Sequence, residues 1–295
     1  MPFNVFNAAR VAACLAFAAC STERREPATS AADSMVVDDF GDTVAVGPAS
    51  RIVSLNPVST ELLFAAGGAS RLVGRTHWDL YPEGAAAIPD LGNGIGPNVE
   101  AVIGARPDLV ILYASTSNRR AATALQSAGV RTLSIRTDHL ADLARLADAY
   151  ARVTGDTIPR LVADSARRTV DSVRALPRAA NSPSLVWRQG EPPIYVAGRG
   201  SFQSELIEVA GGVNAFADAE APSPQVSIEE IVRREPSAIL TGPDGAAKIR
   251  ASATWRALAA VRAGRIFVVD TALVSRPGVR MGEAARHLRL LISTP

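Results

Sequence analysis

Short apolar runs alternate along the chain with longer segments whose apolar residues recur every three or four positions. The runs have the length of buried strands and are found at residues 51–55, 72–76, 109–113 and 131–135 in the first half and 184–187, 194–197, 238–241 and 265–269 in the second. Strands that alternate with helices are typical of parallel βα units, in which helices cover both faces of the sheet. The pattern therefore predicts an α/β protein.

Two parts of the chain repeat each other. Residues 59–68 (STELLFAAGG) recur as residues 203–212 (QSELIEVAGG), and each is predicted to form an amphipathic helix that ends at a glycine. Further along, both halves contain a glutamate, a proline seven residues later and then an apolar strand. Aligning the two prolines also aligns Glu100 with Glu229. Because these units occur in the same order, the sequence predicts two similar α/β lobes.

A helical region separates the two repeats. Apolar residues keep helical spacing over residues 140–153, Gly155 interrupts them, and a second helix is predicted over residues 159–176 with Thr157 as its N-cap. Eighteen residues at 1.5 Å each make this helix about 27 Å long, which is a stiff connection between two lobes with a cleft between them. The predicted boundaries are 51–137 for the N-terminal lobe, 138–177 for the helical backbone and 178–295 for the C-terminal lobe.

The start of the chain has the pattern of an export signal. Nine small or apolar residues, 11–19, follow Arg10 and end at Cys20. This stretch is too short to span a membrane but suits the apolar part of a signal peptide. Small residues before a cysteine resemble a bacterial lipobox, so residues 1–19 are predicted to be a signal peptide, Cys20 to be lipidated, and residues 20–50 to contain a tether and a short leading segment. Ordinary cleavage that leaves a free thiol is the alternative.

Composition and motifs exclude several classes of function. The charge is nearly balanced, at +2, which argues against nucleic-acid binding, and 47% hydrophobic residues exclude a disordered chain. The sequence contains no G-x-S-x-G elbow, no P-loop and no C-x-x-C pair. His77, His139 and His287 are far apart, so a metal site built from several histidines is not expected. We therefore predict no catalytic residue, no cofactor and no resident metal.

Several motifs of both halves resemble those of helical-backbone periplasmic binding proteins, namely RIVSLNP at 51–57, RLVGR at 71–75, ARPDLV at 105–110, LIEVAGG at 206–212, PQVS at 224–227, GRIFVV at 264–269 and RPGVR at 276–280. These proteins are the receptors of ABC importers for vitamin B12, ferric siderophores and haem. The resemblance covers roughly residues 51–291. The PNVE run at 97–100 and the PQVS-x-E run at 224–229 look most like the cobalamin-binding receptor.

The resemblance implies a class III periplasmic-binding-protein architecture and a binding function without catalysis. It implies a monomeric, membrane-anchored lipoprotein on the periplasmic side of the cell envelope, which captures a corrinoid ligand and delivers it to a dimeric ABC transporter permease. A ferric-siderophore or haem receptor of the same fold is the main alternative, and a zinc or manganese receptor and an exported hydrolase are further ones. The helical backbone implies that the lobes close by only a few degrees on loading.

Candidate ligand-binding residues lie near the carboxyl ends of the predicted strands, where parallel α/β lobes bind their ligands. Tryptophan and tyrosine offer flat apolar faces with a polar edge, which suit a large planar or macrocyclic ligand, and arginines suit carboxylate or catecholate groups. The predicted set is Asn56, Pro57, His77, Trp78, Tyr113, Trp187, Arg188, Tyr195 and Arg280, and Arg75 and Arg199 are further arginine candidates.

The resemblance also distinguishes the predicted pocket from that of the cobalamin-binding receptor. Trp78 and Tyr113 match aromatic positions that line the vitamin B12 pocket, whereas Gly94 and Ser223 stand where that receptor has tryptophans. The predicted pocket therefore lacks two stacking surfaces, which leaves room for a bulkier, more anionic or iron-bearing ligand.

Glu100 and Glu229 are predicted to dock the permease, one from each lobe. Each lies at the start of a short helix, and a two-fold symmetric partner needs matched charges on both lobes. The alternative is that each carboxylate only stabilises its own helix through the helix dipole, by about 0.3–1 kcal/mol.

Overall fold

A computed structural model describes residues 35–190 and 193–293, so the predicted signal peptide and Cys20 lie outside the described residues.

The N-terminal lobe contains a hairpin and a four-stranded parallel sheet. The parallel strands follow the order β4-β3-β5-β6, and all four residues of β3 are buried. The elements are β1 (Met35–Val37), β2 (Thr43–Ala45), β3 (Ile52–Leu55), α1 (Pro57–Ala65), β4 (Leu72–Gly74), α2 (Val99–Gly104), β5 (Leu109–Tyr113), α3 (Arg119–Ser127) and β6 (Arg131–Ile135).

The β1–β2 hairpin packs onto this lobe. Val36 and Val44 are buried in the same apolar core as Leu133 and Ile135 of β6. The carboxylate of Asp38, in the hairpin turn, accepts a hydrogen bond from the backbone N–H of Ser134 on the same strand. The leading segment predicted from the sequence is thus part of the lobe from residue 35 onward.

Two helices, α4 (Asp142–Thr154) and α5 (Ile158–Arg174), form the predicted helical backbone. Gly155 ends α4 in the left-handed region, at φ 77°, which a glycine adopts without strain. The predicted N-cap, Thr157, occupies the cap position, but its side chain accepts no hydrogen bond from the helix because its backbone is helical rather than extended. Instead, the carboxylate of Asp156 accepts a hydrogen bond from the N–H of Ile158.

The C-terminal lobe repeats the parallel sheet and adds an antiparallel extension. Its parallel strands follow the order β9-β7-β11-β12, which matches β4-β3-β5-β6 of the first lobe. The elements are β7 (Ser184–Gln189), β8 (Ile194–Val196), α6 (Phe202–Val209), β9 (Val213–Asn214), β10 (Gln225–Val226), α7 (Ile228–Arg234), β11 (Ala238–Thr241), α8 (Pro243–Ala251), α9 (Ala259–Arg262), β12 (Ile266–Val268), α10 (Thr271–Val274) and α11 (Met281–Ser293).

The prediction that residues 194–197 join a parallel sheet is wrong. β8 runs antiparallel to β7 and then pairs antiparallel with β10. Only four residues, 190–193, connect β7 to β8, and a parallel pair needs a crossover of a dozen residues or more. The two strands therefore form a hairpin at the end of the sheet.

The internal repeat extends to the caps and turns of the two lobes. Asn98 and Ser227 are the N-caps of α2 and α7, and each side chain accepts a hydrogen bond from the N–H three residues later. Arg106 and Glu235, directly before the two aligned prolines, both have left-handed backbones, with φ of 49° and 46°. Residues of different type thus adopt the same unusual conformation in both lobes, which supports a duplicated unit.

One apolar core connects both lobes through the helical backbone. It contains Ile52 and Leu62 from the first lobe, Leu143 from α4, Leu185 from the second lobe and Leu288 from α11, and α11 packs along α5. A shared, close-packed core resists large rotation of one lobe against the other. Among the helices of the described part of the chain, none has both the length and the apolar character needed to cross a bilayer.

Candidate functional site

Three adjoining cavities lie at the carboxyl ends of the parallel strands. The N-lobe cavity has a volume of about 330 Å³, the C-lobe cavity about 400 Å³, and the central cavity, which is lined by both lobes, about 750 Å³. Ser275, in the loop between α10 and α11, lines all three cavities, and Arg276 lines the N-lobe and central ones. We call the three together the cleft, and it lies where parallel α/β lobes bind ligands.

The N-lobe cavity contains four of the predicted ligand-binding residues. Asn56, the N-cap of α1, is buried and accepts a hydrogen bond from the N–H of Val58, which fixes Pro57 at the start of the helix. The backbone N–H of Trp78 donates a hydrogen bond to the hydroxyl of Thr76, whereas its side chain is free of the core and the residue is 55% exposed. A tryptophan ring that stays half exposed at a cavity wall is available to pack against a ligand. The four residues are Asn56, Pro57, Trp78 and Tyr113.

Tyr113 ends β5 and lines both the N-lobe and the central cavity. Its phenolic hydroxyl donates a hydrogen bond of 2.6 Å to the carboxylate of Asp138. Burial, together with the hydrogen bond to Asp138 and its negative charge, raises the pKa of Tyr113 to about 12. The phenol is therefore neutral at physiological pH and offers a ligand its ring face rather than an oxyanion.

Gly94 fits its position because no side chain has room there. A Cβ at this residue would lie 2.5 Å from the carbonyl oxygen of Leu55 and 2.9 Å from Cγ2 of Thr76. The side-chain amide of Asn118 donates to the carbonyl of Gly94 and holds the loop against the sheet. Gly94 lines the N-lobe cavity and Ser223 the central one, so both positions that lack an aromatic ring face the cleft.

The central cavity is polar and carries more basic than acidic side chains. Its arginines are Arg136, Arg199 and Arg276, and its carboxylates are Asp138 and Glu220. The cavity therefore presents a cationic wall that suits carboxylate, phosphate or amide oxygens of a ligand. His139 also lines this cavity.

The C-lobe cavity lies at the ends of β7 and β11 and contains Trp187 and Arg188. Trp187 is only 3% exposed and belongs mainly to the apolar core, so little of its ring is accessible to a ligand. Arg188 is 5% exposed, and its guanidinium lies against Gly245 in α8, where a Cβ would come within 2.6 Å of Nη1. Trp187 and Arg188 in the wall of the C-lobe cavity are therefore packed more tightly by the protein than Trp78 is in the wall of the N-lobe cavity.

The structure places three predicted ligand-binding residues away from the three cavities. His77 is exposed, and its ring lies 4.6 Å from that of Trp78. Tyr195 is 37% exposed and lies on β8, the antiparallel strand that was predicted to be parallel. Arg280 donates to the carbonyl of Ala272 and stacks over the ring of Tyr81 at 3.6 Å. Arg75 is likewise occupied, because it donates to the carbonyls of Ala85 and Thr76.

Sequence reasoning missed Arg276 and Glu61. Arg276 crosses the cleft from the C-terminal lobe and donates to the carbonyl of Trp78 at 3.1 Å. Glu61, on α1, is buried and lies 3.7 Å from Nη1 of Arg276 and 3.9 Å from Nη2 of Arg280. Burial raises the pKa of Glu61 to about 7, although the two arginines oppose that rise. The RPGVR motif was a usable signal for the arginines, but nothing in the sequence marked Glu61 as buried.

Glu100 and Glu229 are both exposed in the first turns of α2 and α7. The two helices occupy equivalent positions in the repeat. Hydrogen bonds from its own backbone N–H and from the hydroxyl of Ser227 lower the pKa of Glu229. Each lobe thus presents one accessible carboxylate at a matching place.

Comparisons with known proteins agree with this geometry. The family model described as periplasmic binding protein matches residues 52–273. A vitamin B12-binding protein of Vibrio cholerae serotype O1 is 30% identical over 244 residues, which cover 82% of this chain and 88% of the relative. The family model begins one residue after the predicted start of the resemblance, at residue 51, and ends 18 residues before its predicted end, at residue 291.

Solved structures show the same two-lobed, helically braced architecture. The crystal structure of the periplasmic vitamin B12 binding protein of Vibrio cholerae superimposes with a TM-score of 0.73 at 28% identity, over 84% of this chain and 98% of that one. The periplasmic haem-binding protein of Roseiflexus sp. RS-1 gives a TM-score of 0.75 at 25% identity, over 83% and 98%. The predicted class III fold is confirmed.

These relatives are solute-binding proteins rather than enzymes, as the sequence predicted. Proteins of this kind bind small ligands, work with ABC transporter permeases and are located in the periplasm. The chain belongs to the periplasmic binding protein family.

Proposed function

We propose that the protein captures a corrinoid in the cleft and delivers it to the permease of an ABC importer. The observation that carries the proposal is the cleft between two lobes of a chain that is 30% identical to a vitamin B12-binding protein. Trp78 and Tyr113 supply flat apolar surfaces on one side, and Arg136, Arg199 and Arg276 face the polar groups of a ligand on the other. A macrocycle with a flat face and polar side arms fits both walls.

Titration calorimetry with cyanocobalamin tests this function. We expect one ligand to bind per chain, and Trp78→Ala to weaken binding about 30-fold, which is about 2 kcal/mol for the loss of a central aromatic contact. Leu80→Ala is the matched control, because Leu80 is 68% exposed nearby but lines none of the three cavities. The absence of corrinoid binding by the wild-type protein would rule out the proposal.

A haem or ferric-siderophore receptor is the second candidate. The cationic side chains of the central cavity favour an anionic cargo, and a haem-binding protein superimposes as well as the vitamin B12 binding protein does. Tyr113 is poorly suited to hold haem as a tyrosinate, because its phenol has a raised pKa and donates a hydrogen bond to Asp138. Tight binding of haem or an iron chelate without corrinoid binding would select this candidate.

Permease docking by Glu100 and Glu229 belongs to the same proposal. Their exposure at equivalent places of the two lobes supports contacts with basic side chains on both halves of a dimeric permease. The double variant Glu100→Lys/Glu229→Lys should bind its ligand normally but fail to form the complex with the permease in a pull-down. Glu83→Lys/Glu208→Lys, two exposed carboxylates outside α2 and α7, is the control. Equal complex formation by both double variants would contradict the docking role.

The proposal also includes a lipid anchor on Cys20, with the polar segment before residue 35 as its tether. The mature protein is expected to carry a diacylglyceryl-modified N-terminal cysteine, which the mass of the purified N-terminal peptide reports. Cys20→Ser should abolish the modification and release the protein from the membrane fraction. A mature chain that starts at an unmodified residue would contradict this part of the proposal.

A further inference from the structure

His139 lies at the junction of the two lobes and lines the central cavity. It belongs to the connection between β6 and α4, and its side chain is 46% exposed. Its backbone is fixed, because the carboxylate of Asp142 accepts hydrogen bonds from the N–H groups of Asp138 and His139. The backbone of His139 is therefore fixed at the wall of the central cavity.

Glu205, on α6 of the other lobe, determines the tautomer of this imidazole. Its Oε1 lies 2.6 Å from Nδ1 of His139, and its Oε2 accepts a hydrogen bond of 2.9 Å from the N–H of Leu140. An ionised carboxylate only accepts hydrogen bonds, so the proton of the neutral ring lies on Nδ1 and the lone pair on Nε2. Within residues 35–190 and 193–293, Nε2 has no hydrogen-bond partner.

This arrangement is the one in which proteins present histidine to a metal. A metal-ligating imidazole usually donates its other N–H to a carboxylate, which orients the ring and makes the ligating nitrogen more basic. The described residues contain no cluster of three or more His, Cys, Asp or Glu side chains able to hold a metal ion. A metal ion bound by His139 would therefore be part of the cargo molecule.

We propose that Nε2 of His139 is an axial ligand to the metal of a macrocyclic cargo. The inference rests on the proposed function, since it needs a macrocycle whose metal has an exchangeable axial position. With aquacobalamin, the bound water leaves, the Nε2 lone pair forms the new bond to Co³⁺, and the oxidation state is unchanged. The Nδ1 proton stays on the ring and keeps its hydrogen bond to Glu205.

Absorption spectroscopy with two corrinoids tests this ligation. The wild-type protein is expected to shift the visible bands of aquacobalamin but not those of cyanocobalamin, whose axial cyanide does not exchange. His139→Ala should abolish the shift, and added imidazole should restore it. His139→Gln, which can still bond to Glu205 but has no ring nitrogen, should also show no shift and serves if the alanine variant does not fold. His287→Ala, on α11, is the control and should keep the full shift.

The outcomes separate the inference from the proposed function. Binding of cyanocobalamin together with an unshifted aquacobalamin spectrum would overturn the ligation and leave the corrinoid function standing. A shift that persists in His139→Ala would overturn it as well. If ferric haem binds instead, and becomes low-spin with the wild-type protein but not with His139→Ala, the ligation is supported and the corrinoid cargo is overturned. Failure of both macrocycles to bind would overturn both.

Discussion

Replacing Glu61 with glutamine should remove a specific part of the pH dependence of stability. Glu61 is buried at the contact between α1 and the loop of residues 275–280, and one of its oxygens has no hydrogen bond within the described residues. Burial raises the pKa of Glu61 from 4.5 to about 7, against the opposing effect of Arg276 and Arg280. The folded protein therefore holds this proton more tightly than the unfolded chain does.

The sign and size of the effect follow from linkage. Because the folded-state pKa is the higher one, the stabilising contribution of the protonated carboxyl is complete below about pH 4.5 and is lost as the pH rises through 7. A rise from 4.5 to about 7 corresponds to about 3 kcal/mol of unfolding free energy. Glu61→Gln cannot titrate, so between pH 5 and pH 8 the wild-type protein should lose about 2 to 3 kcal/mol relative to the variant.

Urea unfolding of both proteins at pH 5, 6, 7 and 8 measures this difference. Asp79 also has a raised pKa because of burial, and its negative charge adds to the rise at Glu61, so its contribution cancels only in part when the two free energies are subtracted. Glu208→Gln, at an exposed position of α6, is the control and should follow the wild type at every pH. If the wild type and Glu61→Gln differ by a constant amount across this range, the explanation given for Glu61 is wrong.

Two further predictions concern the cleft wall. Gly94→Ala should destabilise the protein by about 1–3 kcal/mol in urea unfolding, because its Cβ would meet the Leu55 carbonyl at 2.5 Å; an unchanged midpoint would show that the loop can move away. Asp138→Asn should lower the pKa of Tyr113 from about 12, because the negative charge that opposes ionisation of the phenol is lost. Phenol absorbance, taken as a difference from Tyr113→Phe, follows that titration, and a pKa that stays near 12 would leave burial as its sole cause.

The two-lobed fold was predictable because its signals are local and occur twice. The prolines that follow α2 and α7, the glycine that ends α4 and the buried strands can each be identified from neighbouring residues. The antiparallel β8 was missed since its apolar run looks like the others, and only the short connection from β7 distinguishes it.

The candidate site was predictable in part. Asn56 directly follows β3, Tyr113 ends β5 and Trp78 lies four residues after β4. Strand ends in parallel sheets converge on one edge. Arg276 and Arg280 are four residues apart in one motif, yet the fold brings Arg276 to the cleft and turns Arg280 toward Tyr81. Glu61 was missed for a related reason: a carboxylate in a helix usually faces solvent, and its burial depends on a loop more than 200 residues away.

The central claim is that the cleft between the two lobes holds the cargo. Ser275 lines all three cavities, so Ser275→Trp should fill the point where they meet. In titration calorimetry with cyanocobalamin, the wild type is predicted to bind one ligand, and Ser275→Trp is predicted to bind it at least 100-fold more weakly. The control is Ser127→Trp, at the exposed end of α3, which should bind like the wild type. Equal affinity of all three proteins, with matching thermal unfolding, would contradict the account.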